Sequence, residues 1–407
     1  MIKVAIVKDT GGVSHYRQYQ PLKALADRGL ISVTEVPSQK DWTDDGVVDA
    51  AAKAILSSDI LFIASPSTML YPFLRSLKTN MSIQDKEYPR FVFDFDDDTL
   101  NLPATNQVAF CWLREEVDVV INGKQRELYR DGKYYNITIN NQIKPIKYDV
   151  DSNLDRRDTL LRLYKLADYI TTPSPFLASK LARYIDEPFT KMIRVCPNVI
   201  IPEEFTTDKP IPKKPGEIRI MWTLSSAHHN DWAMLRPAIG RVLRRHPEAS
   251  LWAVGSQYGQ GRDIPLSQLH RVPWQPLETY GKTLAEVAPD IGICWVTDKE
   301  EFSFSKSPLK WIEMTAIGAA TICSCALYDQ YLTHDNETLL CANPLEFEEN
   351  LENLIKDSKL RQKLQKASDY TYREQYIPEA VVPAYMGVFS AAASNIKIGG
   401  HSFSSLP

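Results

Sequence analysis

The sequence predicts an α/β protein of two domains, each a parallel sheet covered by helices on both faces. Three observations carry that prediction. Short β-branched runs alternate with stretches of helical period, and such alternation builds parallel sheets. The alternation occurs in two series, separated by a proline-rich, charged stretch at 202–216, PEEFTTDKPIPKKPG, that has no hydrophobic period. At 407 residues the chain also exceeds what a single hydrophobic core normally fills.

The first series opens with a strand over 3–7 and a helix over 16–28. A strand over 31–36, a helix over 49–57 and a strand over 59–64 follow, with later strands at 90–95, 168–172 and 192–196. The region 117–157 breaks the rhythm. Turn signals at Asn122-Gly123 and Asp131-Gly132 separate short alternating runs there, so one or two hairpins are inserted into the domain. Its tyrosines and basic residues (Lys124, Arg126, Arg130, Lys133, Tyr134, Tyr135) suit either a surface elaboration or contact with an acceptor or partner chain. The second series runs strand 218–222, helix 231–246, strand 251–254, helix 279–288, strand 291–296, helix 308–317 and strand 321–324. Helical segments at 344–357 and 359–374 follow. The expected division is thus 1–205 with the insert, 206–382, a possible return helix at 383–398 and a flexible tail at 399–407.

A formal net charge of -4 provides no long-range field for nucleic acid or an anionic membrane, although a local patch would remain possible. The basic run Arg241, Arg244, Arg245 and His246 reads as a docking site for an acidic surface or as the solvated face of a helix. No run approaches the ~20 apolar residues of a membrane-spanning helix. The opening residues read as a strand leading to glycines, not as a secretion signal. The six scattered cysteines read as buried free thiols in a reducing compartment, so a cytoplasmic location is expected. Cys323 and Cys325 would share a strand face, but no matching Cys or His pair completes a metal site; neither a metal nor a cofactor is expected.

Four segments carry candidate chemistry. Gly11-Gly12 lies between the first strand and a helix, where glycines admit close approach of a ligand and helix N–H groups face an anion; a tight structural turn is the alternative. His15, Tyr16 and Arg17 project from the same edge. The run Asp94-Phe95-Asp96-Asp97-Asp98 places four acidic residues in five positions at a strand end, the end at which parallel sheets bind ligands. A solvated turn with a helix cap is the alternative to sugar-hydroxyl or metal binding. Ser225-Ser226-Ala227-His228-His229-Asn230-Asp231 offers hydroxyls and N–H groups to a diphosphate, with Asp231 alternatively capping the helix.

The segment from Ser305 to Glu313 is the most informative. Ser307-Pro308 fits an N-cap and first helical position, which puts Lys310 in the first turn, against the helix dipole. An anionic ligand would remove that mismatch by meeting Lys306, Lys310 and the free N–H groups. Glu313 shares the face of Lys310 and would accept from a pair of ligand hydroxyls; a Lys–Glu pair on a solvated face is the alternative.

With these residues the chain resembles the family-four-like glycosyltransferases (glycosyl transferases group 1), whose GT-B fold is two facing Rossmann-like domains with a cleft between them. The resemblance covers most of the chain except the hairpin insert. Gly11-Gly12 with Tyr16-Arg17 is similar to the family's glycine loop, and Asp96-Asp97-Asp98 resembles the acidic strand end of a subgroup. Ala167 to Ser174, and Cys196-Pro197-Asn198, resemble the stretches before the crossover into the donor domain. Ser225 to Asp231 resembles the subgroup's Ser/His/Asp loop, while Lys306 to Glu313, with Ile317-Gly318, resembles its donor-binding helix. Ser305 stands where the family often has a second glutamate, and Leu224 where glycine is usual.

The resemblance implies transfer of a sugar from a nucleoside-diphosphate-sugar to an acceptor hydroxyl, with retention of configuration. It implies catalytic roles for Lys306, Lys310, Asp97 and Asp98; donor binding by Gly11, Gly12, Ser225, Ser226, His228, Asp231, Ser307 and Glu313; and acceptor-side roles for His15, Tyr16, Arg17 and Asp96. A glycan, a lipid-linked intermediate, a small metabolite and a modified DNA base are the acceptors considered. The alternatives are a nucleotide-sugar epimerase, a phosphorylase of similar fold, and a non-catalytic nucleotide-binding scaffold.

Overall fold

A computed structural model describes residues 1–7, 11–37, 44–84, 87–104, 106–121, 124–139, 142–185, 192–225, 228–256, 263–297 and 301–394. The chain divides into two compact units. One comprises 1–196 together with the segment from Val382 onward, and the other comprises Pro197–Val381.

In the first unit the strands are β1 (Ile2–Val7), β2 (Ile31–Val36), β3 (Ile60–Ala64), β4 (Arg90–Asp94), β5 (Val117–Ile121), β6 (Lys124–Tyr129), β7 (Tyr134–Ile139), β8 (Gln142–Lys147), β9 (Tyr169–Thr172) and β10 (Ile193–Val195). Six of them form a parallel sheet in the order β10-β9-β4-β3-β1-β2. The chain begins at β1, fills one side with β2 and then the other from β3 onward, so the order reverses between β1 and β3. Every residue of β3 and β4 is buried, which explains their near-continuous apolar runs. Helices on the sheet begin with fitted caps: Asp44 accepts from Val47 N, Asp149 from Ser152 N, and Ser174, followed by Pro175, from Leu177 N.

The insert consists of two antiparallel hairpins, β5–β6 and β7–β8. It packs on the flanking chain in a small aromatic cluster, in which Tyr129 stacks on Tyr148 at 5.3 Å and Phe110 meets both edge-on. Its base is closed by the Tyr148 hydroxyl, which donates to Glu115 O at 2.5 Å.

The second unit repeats the first unit's logic. Its strands are β11 (Ile218–Leu224), β12 (Ala249–Gly255), β13 (Leu269–Val272), β14 (Ile291–Cys294), β15 (Ala320–Ser324) and β16 (Leu339–Cys341). They form a parallel sheet in the order β13-β12-β11-β14-β15-β16, with its reversal between β11 and β14. Trp222, Trp232, Trp295 and Phe347 fill its core with aliphatic side chains from the flanking helices.

The proline-rich stretch lies inside this second unit, because the chain divides between Cys196 and Pro197. Buried Arg219 holds it: the guanidinium donates to Ile211 O, Pro212 O and Val287 O, and Glu217 pairs with it. A segment without hydrophobic period is thereby fixed through its carbonyls, a form of anchorage that apolar patterning does not register.

Candidate functional site

In the first unit, candidate residues collect at the carboxyl ends of β1 and β3, where the strand order reverses. Ligands of open α/β sheets bind at such positions. Gly11 precedes one short turn of α-helix, Gly12–Ser14, which runs into a π-helix, His15–Tyr19, before the α-helix Gln20–Asp27. Pro21 accounts for the irregularity: it has no N–H to give Arg17 O, and its ring excludes regular α geometry over the preceding turn. The π-turn carries two successive buried polar side chains. Gln18 Nε2 donates to Val7 O at 3.1 Å and Gln18 Oε1 accepts from Ala64 N at 3.1 Å, bridging β1 and β3. Arg17 donates from Nε and Nη2 to the two Asp94 carboxylate oxygens at 3.0 and 2.5 Å, and from Nη1 to Cys196 O at 2.5 Å.

Arg17 and Asp94 are fully buried, and Thr171 Oγ1 donates to Asp94 Oδ2 at 2.6 Å. Burial works against the guanidinium's charge, but the adjoining Asp94 carboxylate reverses the balance and holds its pKa above the ordinary value. Tyr16 is buried, whereas His15 stacks on Tyr19 at 5.5 Å and meets the Gln20 amide at 3.0 Å.

The acidic run separates into distinct environments. Asp96 accepts from Ser65 Oγ at 3.1 Å, and Ser65 has a φ of 48°, which is rare for a residue with a side chain. Asp97 is partly exposed. Asp98 is fully buried; Asn101 Nδ2 donates to it at 2.7 Å and the Tyr184 hydroxyl at 3.0 Å. Among the described residues, no group of three or more His, Cys, Asp or Glu is placed to hold a metal ion.

In the second unit the candidates again meet at the strand-order reversal. The helix Leu309–Ala316 lies close against β14 because Gly292 has no side chain: a Cβ there would come within 2.6 Å of Met314 Cγ. Lys310 Nζ donates to Thr223 O near the end of β11 at 2.6 Å. One turn along, buried Glu313 accepts from the Tyr280 hydroxyl at 3.2 Å. Pro308, not Ser307, is the N-cap; Ser307 Oγ instead accepts from Asn198 Nδ2 at 2.8 Å. Lys306 is placed over the Phe302 ring at 4.5 Å, and its carbonyl accepts from the Tyr331 hydroxyl.

His228 and Asp231 form a pair after β11, with Nδ1 and Oδ2 2.6 Å apart. Asp231 also accepts from Thr297 N at 2.7 Å, so its carboxylate spans the segments following β11 and β14. Burial, then the charges of Lys310 and Lys306, push the His228 pKa down to about 4 despite Asp231. The imidazole is therefore neutral at pH 7: Nδ1–H donates to Asp231 and Nε2 presents a lone pair. Burial raises the Asp231 pKa, but His228, Thr297 and Lys310 outweigh it and leave the carboxyl below its ordinary range. Burial lowers Lys310 to about 8, opposed by Asp231, Cys294 and Glu313. The cluster thus combines a cation of depressed basicity, a neutral imidazole and a buried carboxylate.

Ser225 borders this cluster, while Ser226 lies outside the described residues. The sequence reading missed Tyr280, Thr297 and Asn198, which meet the named residues only through folding. It also missed Gln18 and Asp94 as hubs, although Gln18 adjoins the Tyr16-Arg17 pair and Asp94 opens the acidic run. The basic run, by contrast, is bound within its own unit: Arg241 and Arg245 pair with Glu348, and Arg245 also pairs with Glu352. No helix among the described residues is long and apolar enough to cross a membrane.

No protein-family model and no curated protein matches the sequence. Solved structures share its fold. HepE from Anabaena, in complex with UDP and glucose, aligns with a TM-score of 0.60 at 10% identity over 96% of this chain and 100% of its own. Sucrose-phosphate synthase from Thermosynechococcus elongatus gives 0.58 at 12% identity over 96% and 100%. An alpha-glucosyltransferase in complex with UDP-glucose and DNA containing an abasic site gives 0.57 at 11% identity over 96% and 99%. The chain accordingly has the GT-B fold, with two Rossmann-like α/β domains.

Proposed function

We propose that the chain is a family-four-like glycosyltransferase that moves a sugar from a nucleoside-diphosphate-sugar to an acceptor hydroxyl with retention of configuration. The observation that carries this reading is Lys310 and Glu313 on one helix, beside the His228–Asp231 pair at the reversal point of the second sheet. Glu313 is assigned to the ribose hydroxyls of the donor. Ser225, Ser226, Ser307, Lys306, Lys310 and the free N–H groups at the helix start are assigned to its diphosphate, and His228 Nε2 to a donor hydroxyl.

As the anomeric C–O bond breaks, its electron pair leaves with the diphosphate. Lys306 and Lys310 oppose the charge that develops there, giving electrostatic stabilisation without a need for a metal. In a retaining transfer the acceptor oxygen attacks from the face that the diphosphate leaves, and its proton passes to the departing phosphate oxygen. Gly11 and Gly12 are assigned to the donor, His15, Tyr16 and Asp96 to the acceptor side, and Asp97 to the reaction itself. Arg17 and Asp98 act on that side by holding their neighbours in place, Arg17 through Asp94 and the Cys196 carbonyl, Asp98 through the side chains of Asn101 and Tyr184.

The test is acceptor-dependent release of nucleoside diphosphate from a panel of nucleotide-sugars, with product mass and anomeric configuration determined. Wild-type protein should bind at least one nucleoside diphosphate by calorimetry. Absence of binding across the uridine, guanosine, adenosine and thymidine series would overturn the assignment. Donor isomerisation without acceptor would replace transferase by epimerase.

A further inference from the structure

Arg17 stands where three parts of the first unit meet. Its guanidinium grips Asp94 at the end of β4 through two hydrogen bonds. Its Nη1 donates to the carbonyl of Cys196, the last residue before the chain leaves for the second unit. The chain returns at Val382, and three residues later Tyr385 packs its ring 5.8 Å from the guanidinium carbon. The Tyr385 hydroxyl faces Arg17 O at 3.5 Å, the carbonyl that Pro21 cannot serve. Tyr385 and Phe389 in turn pack edge-on against Phe62 of β3, at 6.4 and 5.4 Å, so the returning segment is seated on the sheet. Both crossings of the chain thus end on one residue, inside the π-turn that follows Gly11-Gly12.

Stability alone does not call for an ion pair here. A buried pair is often no better than apolar residues of the same volume, and losing one partner is costly. The planar fork instead fixes direction: one face holds β4, and the remaining nitrogen holds the outgoing chain. A shift of either crossing therefore reaches the glycine loop through a rigid group rather than through flexible side chains.

We propose that Arg17 is a positioning residue that couples the two chain crossings to the glycine loop, setting the loop's geometry for transfer. This inference rests on the transferase reading for its kinetic arm only. Tyr385→Phe removes one hydroxyl from the returning segment and keeps the ring, whereas Arg17→Lys keeps charge and removes the fork. Hydrogen exchange read by mass spectrometry should show amides of 12–20 exchanging at least about threefold faster in Tyr385→Phe, with those of 60–64 unchanged. In transfer assays Arg17→Lys should lower kcat at least about tenfold while nucleoside diphosphate affinity stays within about twofold of wild type. The double variant should lose less than the product of the two single losses, because both act through one residue.

Unchanged exchange over 12–20 in Tyr385→Phe would overturn the coupling, whether or not the protein proves to be a transferase. So would a folded Arg17→Lys variant with wild-type kcat. Wild-type protein without transfer activity would sink the transferase reading and leave the exchange result to decide the coupling.

Discussion

Raising the pH above 8 should weaken nucleoside diphosphate binding, and Lys310 should be the reason. Burial holds its pKa at about 8 in the free protein, against an ordinary value of 10.5. A diphosphate beside the ammonium favours the charged form and moves the pKa back toward the ordinary value. The complex then holds more protons than the free protein. Affinity is accordingly full below the free pKa of about 8 and is lost as pH rises through it, up to the pKa of the complex. Each pH unit in that window corresponds to about tenfold in affinity, or about 1.4 kcal/mol. Restoration of the whole shift, 10.5 minus 8, would give about three hundredfold as an upper bound. Calorimetry in two buffers of different ionisation enthalpy at pH 9 should show uptake of nearly one proton, at most about 0.9. Lys310→Met should bind weakly at every pH and show neither the slope nor the uptake. Equal slopes in the wild type and Lys310→Met, or no proton uptake at pH 9, would refute the argument.

Further outcomes follow from neighbouring residues. Glu313→Gln should reduce affinity for the nucleoside and its diphosphate by similar factors of about ten, because the ribose is common to both; loss confined to the diphosphate would remove Glu313 from the ribose. Gly292→Ala should lower the thermal midpoint, since its Cβ would press on Met314 at 2.6 Å and lift the helix Leu309–Ala316, at a cost of about 1–3 kcal/mol by denaturant titration. Asp98→Ala should cost about 1–3 kcal/mol by removing the buried carboxylate that accepts from Asn101 and the Tyr184 hydroxyl, whereas Asp97→Asn should leave stability intact and depress turnover. Equal thermal midpoints for these two variants would contradict that distinction. Exhaustive chelation should leave transfer unchanged, and restoration of lost activity by magnesium or manganese would overturn cationic stabilisation by the lysines alone.

Elements whose periodicity is set by burial were the easiest to read. Strands 59–64 and 291–296 announce themselves because both faces are covered, and the corresponding β3 and β14 are buried throughout. Short partly exposed strands gave no comparable signal; β13 carries Leu-His-Arg-Val with two exposed residues, and β16 has only three residues. The π-turn was hidden because hydrophobic spacing over 16–28 does not distinguish i→i+4 from i→i+5 bonding, although Pro21 is its local cause. In the second unit, Lys310 was legible through its conflict with the helix dipole. Its contact with Thr223 was not, because that depends on the depth at which Gly292 lets the helix lie. Tyr280 had no local signature at all; a tyrosine in an amphipathic helix becomes a partner of Glu313 only when β11, β14 and two helices come together.

The self-closed base of the hairpin insert separates two kinds of heritable change. The Tyr148 hydroxyl bonds the Glu115 carbonyl across the base of the insert, and the hairpins' Tyr129 and Ile137 pack there with Phe110 and Tyr148 of the flanking chain. No hairpin strand pairs with the six-stranded sheet, so changes in the hairpins away from Tyr129 and Ile137 should leave that sheet's hydrogen bonds in place. A lineage can therefore vary this surface quickly while the sheet and the glycine loop stay under strict constraint. Divergence between relatives should accumulate at 116–147 before it reaches the rest of the unit.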